Sequence, residues 1–595
     1  MKFKDLSIFI EKIEATSSRL TITQHLSDLF KKLTSEEIEK TLYLLQGRVV
    51  PLFEKLEFNL AEKTVIKTVA LALNLERKLF ENQYKKIGDL GQTVEHFKKQ
   101  IQLFDEKSLT VLEVYEHLLS LAKSAGAGSQ ERKIHILAGL IRQLDPLSCR
   151  YLVRIPTGVL RLGFSDMTVL DAFSWMLTGD KSLRSQIEHA YHVRPDLGFI
   201  GRTLKEEGIK GLHGVKPKLF TPIIMMRAER LSSGKEIIEK IGKCAVQQKF
   251  DGFRLQAHYS KKSNEVRLYS RNLEEVSVMY PDVIDAVKRE MKAQEIIFEG
   301  EAIGFDPNTG GFLPFQETVQ RKRKYDIEEK AKEIPLKFFV FELLFYDGTN
   351  YLHLPYVDRR KTLQKAIRES KKVEQNTILL APEKILDNEK DIEIEFQDAI
   401  SKGLEGIIAK KLNGVYQPGA RGWNWIKFKR SYTSKIEDTV DCLIMGYDFG
   451  KGKRTDFGIG AFLVGIYDEK KDKFVTIAKI GTGLSDEEWR ELKVKSQKSK
   501  ITSKPNNYEV DKQMNCDVWM SPEIVVEIRA DEISKSPVHS AGRTMKASKS
   551  GKAQEVDNPG FALRFPRLER FRNDKRPNDV TSLEELEKMF KRQKK

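Results

Sequence analysis

Cysteine is scarce in this sequence, and long apolar runs are missing from it. The four cysteines, Cys149, Cys244, Cys442 and Cys516, are scattered singly, without the paired spacing of a zinc site or the density of a secreted disulfide framework. No stretch approaches the roughly 20 apolar residues that span a bilayer, and the first residues lack the apolar region of a signal peptide. We therefore expect neither membrane insertion nor secretion, and we expect a reducing cytoplasm.

Charged residues of both signs are abundant, with a basic excess. The 595 residues include 102 Lys and Arg against 86 Asp and Glu, which gives a formal net charge of +16. Such an excess suits a polyanionic partner, because Lys and Arg release the counterions condensed on phosphates. A well-solvated basic surface is the alternative. The length predicts three or four domains.

Helical periodicity dominates residues 1–212. Apolar residues recur at helical spacing, as at Leu6, Phe9 and Ile13, which is typical of helices packed on a common core. Backbone-breaking residues then cluster at 208–217. The pattern predicts an all-α domain over 1–212 with a boundary at its end.

Residues 213–432 mix the two types of secondary structure. A β-rich run at 338–346 ends in Asp347-Gly348, and a helical stretch follows at 356–370. An α+β domain is therefore predicted.

Short strand-like runs separated by turn residues characterise residues 433–595. They lie at 442–447, 461–467, 474–480 and 524–528, as in a small Greek-key barrel of the OB-fold type. Overlapping capping-box signals at 581–585 predict a short last helix.

The most informative short motif is Lys249-Phe250-Asp251-Gly252, which follows the apolar run 244–246. This order predicts a lysine amine at the end of a strand. A lysine attacks phosphorus only as the free amine, so its pKa must fall from about 10.4, and nearby cations favour that neutral form. Lys249 is the candidate nucleophile. Because the motif fixes only three positions, an exposed surface lysine in a turn is the alternative.

Further motifs follow this tetrad in order. They are Ser270-Arg271-Asn272, Phe298-Glu299-Gly300-Glu301, Phe341-Glu342, Glu405-Gly406-Ile407-Ile408-Ala409-Lys410, Trp425-Ile426-Lys427-Phe428-Lys429 and Arg564-Phe565-Pro566-Arg567. The series resembles the ordered motifs of the covalent nucleotidyltransferases. With the helical region before it, the chain resembles the ATP-dependent DNA ligases of the archaeal and eukaryotic replicative type, and the resemblance covers nearly the whole chain.

The resemblance implies three domains and one reaction. The domains are a helical DNA-binding domain at 1–212, an α+β adenylation domain at 213–432 and an OB-fold barrel with a C-terminal helix at 433–595. In the family a lysine, here matched by Lys249, is adenylated by ATP with Mg²⁺ assisting. AMP then moves to the 5′-phosphate at a nick in duplex DNA, and the neighbouring 3′-hydroxyl displaces it. A monomer acting in DNA replication, repair, recombination and cell division is implied.

Two other classes of function remain as alternatives at this point. An RNA ligase or RNA-capping guanylyltransferase shares the lysine chemistry but is not expected to carry the helical domain. A non-catalytic nick-binding scaffold would be expected to lack Lys249, Glu301 or Lys427, and all three are present.

Several basic and aromatic residues match positions that contact the nucleotide in the family. They are Arg254 and Arg271 for phosphate or ribose, Phe341 for stacking on the base, Arg421 as an additional contact, and Lys427 and Lys429 for the α-phosphate. The two lysines lie two apart on a predicted strand and therefore face one side. An isolated phenylalanine in the apolar run 338–341 is more often core.

Gln247 departs from the family pattern. A glutamate usually stands two positions before the lysine, where it accepts a hydrogen bond from the adenine amino group. The amide oxygen of glutamine also accepts, but its nitrogen donates, so a guanine carbonyl is tolerable in principle. ATP is the expected nucleotide, with GTP as the alternative.

Glu301 and Glu405 are the candidate metal ligands. Carboxylate oxygens suit Mg²⁺, which typically keeps waters and bridges to substrate phosphates. Glu301 matches the final carboxylate of the family's third motif. Glu299 replaces the aspartate usual there and shares the same strand face, so it is the competing ligand.

The remaining candidates concern DNA and protein partners. Arg564, Arg567 and Lys575 belong to a basic string that resembles the final motif, which contacts the triphosphate. Arg161 and the loop 126–133 resemble DNA-contacting positions, with an ordinary loop or surface as the alternative. Residues 100–104, from Gln100 to Phe104, partly resemble a sliding-clamp-binding segment, and the end of an amphipathic helix is the alternative.

Overall fold

A computed structural model describes most of the chain. The described residues are 1–101, 106–158, 160, 162–306, 311–313, 315–322, 326–368, 376–402, 404–429, 439–450, 457–481, 484–547 and 554–593. They form two compact units. The first comprises Met1–Glu229, Ile237–Ile392 and Ile408–Ile426, and the second comprises Arg230–Glu236, Glu393–Ile407 and Lys427–Lys595. Within the described ranges, no helix combines the length and apolarity needed to cross a bilayer.

The first part of the first unit is built from helices, as its periodicity predicts. These are α1 Phe3–Glu14, α2 Arg19–Lys32, α3 Ser35–Leu45, α4 Glu62–Ala72, α5 Arg77–Ile87, α6 Leu90–Gln100, α7 Val111–Lys123, α8 Ser129–Gln143, α9 Pro146–Thr157, α10 Asp166–Thr178, α11 Arg184–Val193 and α12 Leu197–Glu207. Capping boxes at Thr34 and Thr110 begin α3 and α7. Leu6 and Ile13 are buried in the common core, and Phe9 packs at its margin. A 3₁₀ turn, Gly208–Leu212, ends the series.

A buried ionic network joins α1, α6 and α9. The guanidinium of Arg154, which is 2% exposed, donates to Glu14 at 2.9 Å and to Asp89 at 2.8 Å. Arg150 and the hydroxyl of Tyr151 also donate to Glu14. Burial opposes ionisation of Glu14, but these donors outweigh it and lower its pKa. The network therefore holds charged groups inside the helical core.

Strands and helices alternate through the middle of the chain. The strands are β1 Arg227–Arg230, β2 Cys244–Lys249, β3 Phe253–Ser260, β4 Glu265–Ser270, β5 Glu295–Gly304, β6 Leu336–Tyr346, β7 Thr349–Asn350, β8 Ile378–Leu380, β9 Glu383–Leu386, β10 Gly406–Lys411 and β11 Arg421–Lys429. The helices are α13 Gly234–Ile241, α14 Pro281–Glu290, α15 Phe315–Thr318, α16 Ile327–Glu333, α17 Tyr356–Ala366 and α18 Glu389–Ser401.

These strands form two sheets. One has the order β1-β11-β10-β2-β9, and the other has the order β4-β3-β5-β6-β7, with β8 parallel to β6. The strand predicted at 338–346 is present and begins two residues earlier, at Leu336. The helix predicted at 356–370 ends at Ala366, because Ile367 adopts an extended conformation and pairs with Met291.

The second unit contains the strands that the sequence predicts after residue 433. They are β12 Val440–Phe449, β13 Ile459–Asp468, β14 Lys473–Ile480, β15 Lys500–Ile501, β16 Tyr508–Glu509, β17 Val518–Met520, β18 Val525–Arg529, β19 Glu532–Ser536, β20 Thr544–Ala547, β21 Gln554–Asn558, β22 Gly560–Arg564 and β23 Arg567–Phe571. The largest sheet has the order β15-β17-β12-β13-β14-β16, and β18 pairs with both β12 and β23.

Two helices accompany these strands, α19 Asp486–Lys498 and α20 Leu583–Gln593. The predicted last helix is therefore confirmed. Of its overlapping capping signals, the chain uses Ser582 and Glu585, whose side chains each accept from the other residue's backbone N–H at 3.2 and 2.8 Å.

Arg154→Met tests the buried ionic network. We expect it to lower the free energy of unfolding by about 3–5 kcal/mol, because it leaves the carboxylates of Glu14 and Asp89 less compensated. The measurement is urea unfolding of the full chain, monitored by the circular dichroism signal of its helices. Arg202→Met is the matched control, since Arg202 pairs with Glu206 at half-exposed positions, where water screens the ion pair and its loss should change the free energy of unfolding little. Equal midpoints for the two variants would contradict the assignment.

Candidate active site

Lys249 is the last residue of β2, as the sequence predicts. Cys244, Ala245 and Val246 before it are at most 1% exposed, whereas Lys249 itself is half-buried. The strand thus anchors its apolar residues in the core and delivers the lysine at its end.

Gly252 lies in the turn after Lys249, at a position where a side chain does not fit. A Cβ built on Gly252 would lie 2.1 Å from the carbonyl oxygen of Ala302 on β5. Because that neighbour is backbone, it cannot turn away as a side chain could. The close approach fixes the path of the chain between β2 and β3.

A buried carboxylate, Glu299, forms a hub on β5. It is 0% exposed and accepts from Arg254 at 2.5 Å, from Gln256 at 3.0 Å and from the hydroxyl of Tyr416 at 3.0 Å. Burial lowers the pKa of Arg254, but the Glu299 carboxylate outweighs burial and raises it above its ordinary value. Arg254 is therefore held as a cation.

Glu301 shares a strand face with Glu299 but differs from it in burial. In the antiparallel pairing of β3 with β5, Glu301 lies opposite Arg254 and Glu299 lies opposite Gln256. Glu301 is partly exposed, whereas Glu299 is fully buried and has three donors. Of the two competing carboxylates, Glu301 is the one that solvent reaches.

Phe341 differs from the core residues before it on β6. Phe338, Phe339 and Val340 are at most 5% exposed, whereas Phe341 is partly exposed. The guanidinium carbon of Arg254 lies 5.4 Å from the Phe341 ring centroid, within cation–π range. Trp425 meets the same ring edge to face at 6.0 Å.

Lys410 is a buried lysine to which the sequence analysis assigns no role. Its Nζ donates to the carbonyl oxygen of Phe341 at 2.7 Å and lies within 5.0 Å of the ring centroids of Phe341, Tyr356 and Trp425. Burial lowers its pKa from 10.5 to about 7, against the attraction of Glu342. The burial of Lys410 could have been predicted from the sequence, because this lysine directly follows the apolar run Ile407, Ile408 and Ala409.

Gln247 is 3% exposed and lies on β2 opposite Glu383 of β9. Its Nε2 donates to Oε2 of Glu383 and to the hydroxyl oxygen of Tyr356, both at 2.8 Å. The Tyr356 hydroxyl in turn donates to the same carboxylate. Sequence reasoning missed Tyr356 and Glu383, because they approach Gln247 only through strand pairing and the position of α17.

The remaining candidate nucleotide-binding residues of the first unit are exposed. Arg271 lies in the turn after β4, and Arg421 begins β11. Contacts thus link Gln247, Arg254, Glu301 and Phe341 into one region of the first unit, with Lys249 at the end of the strand that carries Gln247.

The second unit carries its own group of motif residues. Glu405 and Lys429 form an ion pair. Lys427 and Lys429 are half-buried on either side of buried Phe428, so the two lysines face one side of β11, as predicted. Gly406 has a φ of +143°, and a Cβ there would lie 2.1 Å from the carbonyl oxygen of Phe428.

The C-terminal basic string is matched by carboxylates of the same unit. The pairs are Arg564 with Glu532 at 2.9 Å, Arg567 with Asp531 at 2.6 Å, Arg570 with Glu527 at 2.6 Å, Arg572 with Asp441 at 3.0 Å and Lys575 with Asp441 at 2.7 Å. A phosphate that binds there exchanges with or joins these ion pairs.

The predicted DNA and clamp contacts are only partly described. α8 begins at Ser129, and no side chain caps its N-terminus. Arg132 donates to the carbonyl oxygens of Ala125 and Ala127 and so orders the preceding loop. Gln100 ends α6, while Arg161 and residues 102–104 lie outside the described residues.

Three family models match successive parts of the chain. Residues 2–174 match the DNA ligase N terminus, residues 225–429 match the ATP dependent DNA ligase domain, and residues 455–575 match the ATP dependent DNA ligase C terminal region. The chain therefore belongs to the ATP-dependent DNA ligase family, which confirms the resemblance seen in its motifs. The assignment decides against a capping enzyme, an RNA ligase and a non-catalytic scaffold.

Full-length relatives agree with this assignment. A probable DNA ligase of Dictyoglomus thermophilum is 45% identical over 100% of this chain and 98% of its own length. DNA ligase 2 of Thermofilum pendens is 40% identical with the same coverage, 100% and 98%. The solved structure named Pmar-Lig_PreS3 is 16% identical, covers 95% of this chain and 99% of its own, and has a TM-score of 0.53, which is a likeness of fold.

Gly252→Ala tests the close approach of the turn to β5. We expect loss of covalent nucleotide transfer and a lower unfolding midpoint, because the added Cβ would displace the backbone beside Lys249. Gly139→Ala, in α8 with no atom near its Cβ position, should be neutral or stabilising by up to about 1 kcal/mol. Wild-type transfer and midpoint in Gly252→Ala would refute this constraint.

Lys410 predicts a specific pH dependence of stability. Between about pH 7 and pH 10.5 the folded chain has released the Lys410 proton that the unfolded chain still holds, so the contribution of this residue to stability rises with pH. Relative to Lys410→Met, the wild type should gain up to about 1.4 kcal/mol per pH unit. Urea unfolding of the wild type and of Lys410→Met at pH 7, 8 and 9 measures this gain in stability. Parallel pH profiles of the two free energies of unfolding would exclude the lowered pKa of Lys410.

Proposed function

We propose that this ligase seals nicks in duplex DNA through a covalent AMP on Lys249. The observation that carries the proposal is the position of Lys249 at the end of β2. A turn there is fixed against β5, and Arg254, Glu301 and partly exposed Phe341 come from β3, β5 and β6 of the second sheet. A strand-end lysine beside cationic and aromatic groups suits attack on a nucleotide phosphate.

The reaction has three balanced steps. The amine of Lys249 attacks the α-phosphorus of ATP and loses a proton to solvent, an N–P bond forms, and the bond to the leaving pyrophosphate breaks. An oxygen of the 5′-phosphate at the nick then attacks the same phosphorus, the N–P bond breaks, and the lysine nitrogen takes up a proton. Finally the 3′-hydroxyl attacks the activated 5′-phosphate, loses its proton and releases AMP.

The chain's other candidate residues bind and orient the nucleotide. Arg254, held ionised by Glu299, and exposed Arg271 contact ribose or phosphate, and Arg421 adds a further contact. The partly exposed ring of Phe341 stacks on the base. Lys427 and Lys429, on one face of β11, neutralise charge on the α-phosphate.

The donor set is compatible with Mg²⁺. Glu301 offers a solvent-reached carboxylate, while Glu299 is committed to three donors, so Glu301 is the ligand of choice on β5. Glu405 is the second ligand, and metal binding there shares or replaces its pairing with Lys429. The described residues hold no cluster of three potential metal-ligating acidic, histidine or cysteine side chains, so waters and phosphate oxygens complete the shell. When bound, Mg²⁺ neutralises charge on the phosphoryl oxygens.

Nicked DNA is bound mainly through its backbone. The net charge of +16 supports a polyanionic partner, and Arg161, Arg564, Arg567 and Lys575 are the proposed phosphate or pyrophosphate contacts. We assign residues 1–212 to DNA binding, 213–432 to an adenylation domain and 433–595 to an OB-fold domain with its C-terminal helix.

The cellular setting completes the proposal. The protein acts as a monomer in DNA replication, repair, recombination and cell division. Contact with a sliding clamp through 100–104 is a secondary proposal. The four cysteines are free thiols, which suits a reducing cytoplasm.

Incubation with α-labelled ATP and Mg²⁺ tests the role of Lys249. We expect a covalent label that survives denaturing electrophoresis and is discharged by nicked duplex DNA with sealing, because the Lys249 amine is the proposed nucleophile of the first step. Lys249→Ala should abolish the label. Lys243→Ala, an exposed lysine just before β2, is the matched control and should label normally. Persistent label in Lys249→Ala, or label that nicked DNA cannot discharge, would refute the proposal.

A further inference from the structure

The amide of Gln247 is oriented by two neighbours that have no assigned role. Its Nε2 donates to Oε2 of Glu383 and to the hydroxyl oxygen of Tyr356, each at 2.8 Å. The Tyr356 hydroxyl donates its own proton to the same Glu383 carboxylate. The three groups therefore form a closed triangle.

Reversal of the Gln247 amide is strongly disfavoured in this triangle. A reversed amide would aim its oxygen at the Glu383 carboxylate and at a tyrosine oxygen whose proton already points elsewhere. The first encounter is between two acceptors, and relieving the second would cost Glu383 the proton that Tyr356 donates. Gln247 is 3% and Tyr356 is 1% exposed. Unpaired acceptors in such a place are costly. The amide oxygen is thus the one polar atom of the side chain that is left for a ligand.

This triangle adjoins the ring proposed to stack on the base. Lys410 Nζ lies 4.8 Å from the centroid of Tyr356 and 5.0 Å from that of Phe341, and it donates to the Phe341 carbonyl oxygen. The Tyr356 ring and the partly exposed Phe341 ring therefore contact one buried lysine amine. A base on Phe341 lies in the neighbourhood of Gln247.

We propose that Glu383 and Tyr356 are positioning residues that make Gln247 an acceptor only, so that it selects adenine over guanine. Adenine presents an amino donor where guanine presents a carbonyl acceptor, and the guanine carbonyl meets the fixed amide oxygen unfavourably. The glutamine thus acts like the glutamate that usually stands there, because its nitrogen, the atom that left GTP open from the sequence, is directed at Glu383 and Tyr356. The inference rests on the proposed transfer of a nucleotide to Lys249.

The test compares kcat/KM for transfer from ATP and from GTP to Lys249. Glu383→Gln allows the Gln247 amide to reverse, and we expect the preference for ATP over GTP to fall at least about tenfold. Tyr356→Phe should lower the preference in the same direction. Glu389→Gln, an exposed carboxylate at the start of α18, is the matched control and should keep the wild-type preference.

A double exchange separates positioning from simple damage to the fold. In Gln247→Glu with Glu383→Gln, the introduced carboxylate accepts from the amide introduced at position 383 and keeps an acceptor for the base, so the ATP preference should return. Equal losses with both nucleotides in Glu383→Gln, or no return in the double variant, would overturn the inference.

A binding measurement distinguishes failure of this inference from failure of the proposed function. In the Lys249→Ala background, which cannot be labelled, we expect ATP to raise the unfolding temperature more than GTP does. Adding Glu383→Gln should remove that difference. A difference that persists with Glu383→Gln overturns the positioning role. Selective binding without any transfer in the wild-type chain would instead overturn the covalent mechanism.

Discussion

The buried carboxylate of Glu299 is the group on which the geometry of the candidate site depends. An ionised carboxylate without partners would be very costly at a site with no exposure, but Arg254, Gln256 and Tyr416 all donate to it. The same ion pair keeps Arg254 charged and places its guanidinium over the rings of Phe341 and Trp425. Loss of Glu299 would remove the carboxylate with which Arg254 forms its ion pair.

From this hub, contacts continue to Gln247, the residue that we propose reads the base. Phe341 and Trp425 surround Lys410, Lys410 faces Tyr356, and Tyr356 holds the amide of Gln247. Along β5, the partly exposed Glu301 is the carboxylate that we propose as a metal ligand. Burial thus separates two glutamates of identical chemistry, two residues apart, into a buried structural group and a carboxylate that solvent reaches. The glutamate that replaces the family's aspartate at position 299 has three donors to its carboxylate.

Sequence patterns predicted the features that depend on neighbours along the chain. The helical periodicity of 1–212, the strand end at Lys249 and the capping box at Ser582 are all local. The hub and the triangle are not, since Tyr416 is 117 residues from Glu299 and Glu383 is 136 residues from Gln247. Their contacts depend on the register of paired strands, which composition does not determine. The C-terminal arginines are a similar case, because their acidic partners lie on distant strands.

The most direct test of this account is a crystal structure of the protein after reaction with ATP and Mg²⁺. We expect this structure to show AMP joined through phosphorus to Nζ of Lys249. The adenine ring should lie on Phe341, and its amino nitrogen should be within hydrogen-bond distance of Oε1 of Gln247. The Gln247 nitrogen should still donate to Glu383 and Tyr356. AMP on another residue, or an adenine whose amino group does not meet that oxygen, would contradict the account.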